Sequence, residues 1–96
     1  MNYTLNDFRS TQNLINQYIN KTPIVSSKTF SDQLNLDLFF KLELFQKTGS
    51  FKVRGALNKL LKLSYNEKKK GIITISAGNH AQAVSWACSN FNVKSK

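Results

Sequence analysis

Gly71-Ile72-Ile73-Thr74-Ile75-Ser76-Ala77-Gly78-Asn79-His80-Ala81-Gln82 is the stretch whose reading decides the fold. Ile72, Ile73, Thr74 and Ile75 are β-branched, which suits an extended backbone, so residues 72–75 are expected as a strand. Ser76 to Asn79 are small or polar and read as a tight turn. A helix is expected from there to about Asn90. Upstream, Val53, Ala56, Leu57, Leu60, Leu61 and Leu63 recur at helical spacing, which predicts a helix over residues 51–63 that Ser50 would cap. Before it, Lys47-Thr48-Gly49-Ser50 reads as a turn in which Gly49 supplies a positive φ. Asp37-Leu38-Phe39-Phe40-Lys41-Leu42-Glu43-Leu44 is short, apolar and aromatic-rich and is expected as a strand. Ile24-Val25 suggests another short strand, and residues 30–34 a helical turn. A first helix is expected over residues 5–19, stopped by Thr22-Pro23 because the residue before proline is pushed out of the α region. Residues 65–70 either end the third helix or begin a short new one, and Gly71 marks a break. Strands alternating with helices imply an α/β chain: a partial open, mostly parallel sheet flanked by helices. The pattern calls for one more strand at residues 92–96. On this reading the last helix has little to pack against.

Composition narrows the function classes. The chain has 96 residues, 41% hydrophobic and 20% charged, an ordinary globular balance for one small domain at most. No stretch approaches the roughly 20 apolar residues of a membrane span. The start, through Phe8, lacks the apolar core of a signal peptide, so the cytoplasm is the expected compartment. Basic residues outnumber acidic ones 14 to 5, a formal net charge of +9. The basic residues are scattered, and the one run, Lys68-Lys69-Lys70, sits at an expected helix end where cations suit the helix dipole. Nucleic acid is therefore not the expected partner. Cys88 is the single cysteine and lies in an apolar helical stretch, so it reads as a packing residue and no intrachain disulfide is possible. His80 is the single histidine and has no partner at metal-ligand spacing; no metal site is expected.

Two strand-to-helix turns carry candidate chemistry. In Thr48-Gly49-Ser50-Phe51-Lys52-Val53-Arg54-Gly55-Ala56, a lysine stands in the first turn of a helix. Unpaired amides there carry partial positive charge and disfavour the ammonium form. A neutral amine is what attacks an aldehyde, so the position suits a Schiff-base lysine. Taken alone, a lysine at a helix start is more often a solvated surface residue. In Ser76-Ala77-Gly78-Asn79-His80-Ala81-Gln82, free amides and small residues at a helix start make an anion cradle that a carboxylate would fit. Taken alone, it is more often a tight turn with Asn79 as a helix cap.

Together, Lys41 to Ala56 (KLELFQKTGSFKVRGA) and Ser76 to Gln82 (SAGNHAQ) resemble the fold-type-II pyridoxal-phosphate enzymes. They look like the threonine dehydratases (threonine ammonia-lyases), with serine racemases as close relatives. Asn58-Lys59-Leu60, the Glu67 to Gly71 run and Thr22-Pro23 fit the same pattern, so the resemblance covers the chain from about Thr22 onward. It implies that residues 1–96 form an N-terminal fragment of a catalytic domain with a tryptophan-synthase-β-like fold. It also implies roles. Lys52 matches the lysine that holds pyridoxal 5'-phosphate as a Schiff base and moves the α-proton. Phe51 matches the residue against the pyridine ring, and Asn79 the donor to its 3′-oxygen. Ser76, Asn79 and His80 match the loop that holds the substrate carboxylate. The implied substrate is threonine, converted to 2-oxobutanoate and ammonia as in isoleucine biosynthesis, with serine as the other possibility. Full-length members are expected to be homo-oligomers.

Three positions depart from or refine the pattern. Ala77 stands where racemases of this family carry a serine that protonates the second face of the substrate; alanine has no exchangeable proton, which favours dehydration. Ala83 stands where the family has glycine. The glycine-rich loop that binds the cofactor phosphate in the family has no counterpart among Gly49, Gly55, Gly71 and Gly78. The isolated chain is accordingly expected to show no steady turnover and to expose apolar faces of its sheet. A serine racemase or serine dehydratase segment is one alternative reading. A non-catalytic scaffold that pairs with a partner subunit is another.

Overall fold

The structure, a computed structural model, describes residues 2–96. Its elements run α1 (Leu5–Ile15), β1 (Ile24–Ser26), α2 (Lys28–Leu34), β2 (Phe39–Lys41), a 3₁₀ turn (Glu43–Phe45), α3 (Lys52–Lys62), α4 (Tyr65–Lys70) and α5 (Asn79–Asn90). Side-chain caps start three of the helices. Thr4 and Asp7 form a capping box on α1, Ser64 and Glu67 form another on α4, and Ser27 caps α2. In both boxes the hydrogen bonds to the carboxylate hold it below its ordinary range: Thr4 does this for Asp7, Ser64 for Glu67.

The core lies between α3 and α5. Val53, Leu57 and Leu60 recur at i, i+4 and i+7 and form the buried stripe of α3. They meet Ala83, Val84, Ala87 and Cys88 of α5, whose small alanines let the two helices approach closely. Leu57, Leu60, Val53 and Cys88 are the largest fully buried side chains. Each such aliphatic contributes roughly 1.5–3 kcal/mol relative to exposure. α1 adds Ile15 to this core. The last helix thus has a partner after all: α5 packs on α3, because the apolar stripe of α3 needs a lid and α5 supplies it.

β1 and β2 pair antiparallel, with Ile24 opposite Lys41, Val25 opposite Phe40 and Ser26 opposite Phe39. The parallel part of the sheet is nascent. Ile72 bridges Ser95 in parallel sense. The Ile72 N–H donates to the Lys94 carbonyl at 2.8 Å, the Lys96 N–H to the Ile72 carbonyl at 3.0 Å, and the Thr74 N–H to the Lys96 carbonyl at 2.9 Å. So residues 94–96 do lie beside residues 72–74, as the pattern requires. Gly71 makes this possible. Its φ of 86° and ψ of 177° close α4 in a conformation that side chains resist, and an added Cβ would stand 3.0 Å from the Lys94 carbonyl oxygen. Ile72 and Thr74 are half-buried, while Ile73 and Ile75 are 80% and 97% exposed. That alternation is a strand covered on one face only.

Three boundaries differ from expectation. α1 ends at Ile15, not at residue 19. A Tyr18 N–H to Ile15 carbonyl bond of 2.9 Å tightens the exit, and Tyr18 then packs edge-on against Phe91 at 5.0 Å between ring centres. The strand expected over residues 37–44 keeps only Phe39–Lys41, because Glu43 is drawn away to Arg54 and the backbone coils into the 3₁₀ turn. Over residues 72–75 the ladder is a single bridge. Residues 65–70 form a separate helix, the second of the two expected possibilities.

Candidate active site

Lys52 opens α3, and Phe51 precedes it as the boundary residue with helical backbone angles. The expected capping role of Ser50 takes a particular form: its buried hydroxyl oxygen accepts from the Lys52 N–H at 3.4 Å. The turn ahead is made by Gly49 at φ 68°, as expected, with the Gly49 N–H bonded to the Gln46 carbonyl at 2.8 Å. The Lys52 side chain is exposed, and its Nζ sits 5.0 Å from the centre of the Phe51 ring. That is cation–π distance. Among the described residues Lys52 has no carboxylate partner. An amine without an ion pair, beside an exposed aromatic face, is open to a flat carbonyl compound.

Asn79 and His80 are the first two residues of α5, and Ser76 lies in the loop before it. Gly78, not Asn79, is the boundary residue. The Ser76 hydroxyl accepts from the Gly78 N–H at 3.3 Å, which folds the loop over a short local turn. The first bond closing the helix runs from the Gln82 N–H to the Gly78 carbonyl at 3.3 Å. The amides of Asn79, His80 and Ala81 find no acceptor among the described residues. Unclaimed amides at the start of a 12-residue helix suit an anion. His80 also lines a mostly apolar cavity of about 180 Å³ together with Gly55 and Ala56 of α3 and residues 72–74. The two turns therefore stand at the starts of the two helices that form the core. No hydrogen bond joins Lys52 to Ser76, Asn79 or His80 among the described residues.

Reading the sequence missed the polar framework under Lys52. Arg54 Nε donates to Glu43 Oε2 at 2.8 Å, and a terminal Arg54 nitrogen donates to Glu43 Oε1 at 2.7 Å. Thr22 Oγ1 donates to the same Oε1 at 2.5 Å, and Lys41 Nζ donates to the Thr22 carbonyl at 2.6 Å. The Arg54 guanidinium, with help from Thr22, holds the Glu43 carboxyl down at about 2. The hint in the sequence was a lone glutamate in an otherwise basic, apolar segment, eleven residues before an arginine. Cys88 is buried as expected, and burial pushes its thiol up.

Against known families, residues 15–96 match the one described as pyridoxal-phosphate dependent enzyme. The chain belongs to the pyridoxal-phosphate-dependent enzymes. It is 43% identical over 90 residues to an L-threo-3-hydroxyaspartate ammonia-lyase of Saccharomyces cerevisiae, covering 94% of this chain and 28% of that protein. It is 47% identical over 78 residues to a catabolic L-threonine dehydratase of Escherichia coli, covering 81% of this chain and 24% of that protein. The crystal structure of serine racemase from Dictyostelium discoideum superposes with a TM-score of 0.89 at 43% identity, over 96% of this chain and 30% of that one. The chain thus spans less than a third of the length of these relatives. Lyases and racemases stand about equally near, so the likeness establishes the family rather than one reaction within it. Among the described residues no helix is long and apolar enough to cross a membrane.

Proposed function

We propose that this chain is the cofactor-lysine segment, the N-terminal part of the catalytic domain, of a pyridoxal-phosphate-dependent threonine ammonia-lyase. The observation that carries the reading is Lys52: an exposed amine at the start of α3, lying over the Phe51 ring and without an acidic partner among the described residues. The donors present suit the cofactor. Lys52 would hold it covalently, Phe51 would lie against its ring and Asn79 would donate to its ring oxygen. Bound pyridoxal phosphate supplies the electron sink for the charge left when the substrate α-proton departs. Lys52 Nζ takes up that proton as general base. Ser76, Asn79 and His80, with the open amides of α5, hold the substrate carboxylate. The residues that would bind the cofactor phosphate are not found in this chain's four glycines and their turns.

Ala77 separates the lyase from the racemase reading. It stands in the loop between Ser76 and Gly78 and has no proton to give, so the second face of the substrate cannot be protonated from this position. The racemase reading is supported by the near equality of relatives: a serine racemase of Dictyostelium discoideum is 45% identical over 84 residues. The test is a chimera in which this chain replaces the matching segment of that racemase. Threonine-dependent formation of 2-oxobutanoate, lost in Lys52→Ala, is the expected result. Racemisation of serine should be weak and should rise in Ala77→Ser. Full racemase activity with Ala77 in place would discard the lyase reading. The chain alone, in the cytoplasm or in solution, should give no steady turnover.

A further inference from the structure

Lys52 is flanked in sequence by two polar anchors that hold its turn from both sides. Ahead of it, Gln46, 4% exposed, is bonded to both backbone groups of Asn20. Behind it, Arg54 binds Glu43 through two hydrogen bonds, and that carboxylate takes a third from Thr22. The side chains of Glu43 and Arg54 are only 16% and 33% exposed. A planar guanidinium gripping a carboxylate with two bonds fixes orientation as well as distance.

We propose that Glu43 is a positioning residue for Lys52. The inference rests on the reading of Lys52 as the cofactor lysine. Arg54 lies in the first turn of α3, two residues after Lys52, so whatever fixes the rotation of that turn fixes where the Lys52 amine stands. Thr22 lies just ahead of β1, and Lys41 at the end of β2 bonds the Thr22 carbonyl at 2.6 Å. Glu43 therefore joins the β1–β2 pair to the helix that carries the amine. Without its charge, Arg54 has no ion-pair partner among the described residues, and the first turn of α3 is left with the Arg54 N–H to Phe51 carbonyl bond of 3.0 Å, the weak Ser50 contact of 3.4 Å and the buried Val53. A displacement of about 1 Å at a reacting group costs on the order of 100-fold in rate. A purely stabilising ion pair would lower the melting point when lost but leave the amine where it is.

The experiment reads the amine directly. The full chain is labelled at its lysine ε-carbons and followed by NMR. Lying over Phe51, the Lys52 ε-protons should resonate apart from those of the other lysines. In Glu43→Gln the Lys52 signal should move into the common position while the Lys28 signal stays put. Glu43→Asp, which keeps the charge, should restore part of the separation. Should Glu43→Gln fail to fold, Thr22→Val removes one of the three bonds and should give a smaller change of the same sign. A second readout is trapping with pyridoxal phosphate and borohydride followed by peptide mapping. The share of label on Lys52 should fall about tenfold in Glu43→Gln. An unmoved Lys52 signal in a folded Glu43→Gln chain overturns the proposal, as does a wild-type Lys52 signal indistinguishable from the other lysines. A wild-type chain that labels Lys52 no more than Lys28 overturns instead the cofactor reading, and the NMR signal then decides the role of Glu43 on its own.

Discussion

Asn20 and Gln46 bind each other twice: the Asn20 N–H donates to Gln46 Oε1 at 2.9 Å, and Gln46 Nε2 donates to the Asn20 carbonyl at 2.9 Å. The same Oε1 also accepts from the Lys47 N–H at 3.0 Å. A side chain here completes backbone pairing that a strand would otherwise supply. Gln46→Ala removes three hydrogen bonds to backbone groups of a part-buried turn and should cost about 1–3 kcal/mol. Urea unfolding should show a lower midpoint with an unchanged slope. A midpoint equal to wild type would mean that water replaces Gln46 freely.

Glu43 sets an acid limit on stability. Its carboxyl moves from an ordinary 4.5 to about 2 on folding, chiefly through Arg54. The unfolded chain therefore binds more protons between those values, and folding weakens as pH falls through that window. The contribution is complete above about pH 4.5 and gone near pH 2, and amounts to at most about 3 kcal/mol. Glu43→Gln should be less stable than wild type at pH 7, and the gap should narrow steadily as pH falls from 4.5 toward 2. Parallel stability curves for the two proteins across that window would rule the linkage out.

Burial, not hydrophobicity alone, decides what an apolar residue contributes. Leu57 is fully buried and Ile75 is 97% exposed. Leu57→Ala should cost about 2–5 kcal/mol, while Ile75→Ala should stay within about 0.5 kcal/mol of wild type. In a chain this small the first loss can unfold the protein at room temperature, which circular dichroism would read directly.

Two glycines should answer the same substitution with opposite signs. At Gly71, φ is 86° and an alanine Cβ would meet the Lys94 carbonyl oxygen at 3.0 Å. Gly71→Ala should cost at least about 1 kcal/mol and speed amide exchange at Ile72 and Thr74, whose bonds to Lys94 and Lys96 depend on that approach. Gly55 lies inside α3 with nothing within 4 Å of an added Cβ. Gly55→Ala should stabilise by about 0.5–1 kcal/mol.

Local signals were legible where a segment needed only its own residues. The stripe of Val53, Leu57 and Leu60 announced α3, and the turn at Gly49 and the start of α5 near Asn79 fell where their residue types placed them. The end of α1 was not legible, because Tyr18 leaves the helix for Phe91, more than seventy residues away in sequence. The end of β2 was hidden for the same reason. Glu43 looks like one more residue of an alternating strand until Arg54 and Thr22 are brought beside it.

The sequence by itself determined the family segment and the two helix starts that carry Lys52 and Asn79, because residue order along one turn sets which groups a helix N-terminus presents. Only the tertiary structure decided that α5 closes the core over α3 and that Glu43 reaches Arg54. Those are contacts between residues distant in sequence. Their energy depends on shape, desolvation and hydrogen-bond geometry once the elements meet, and no local pattern in the chain encodes that meeting.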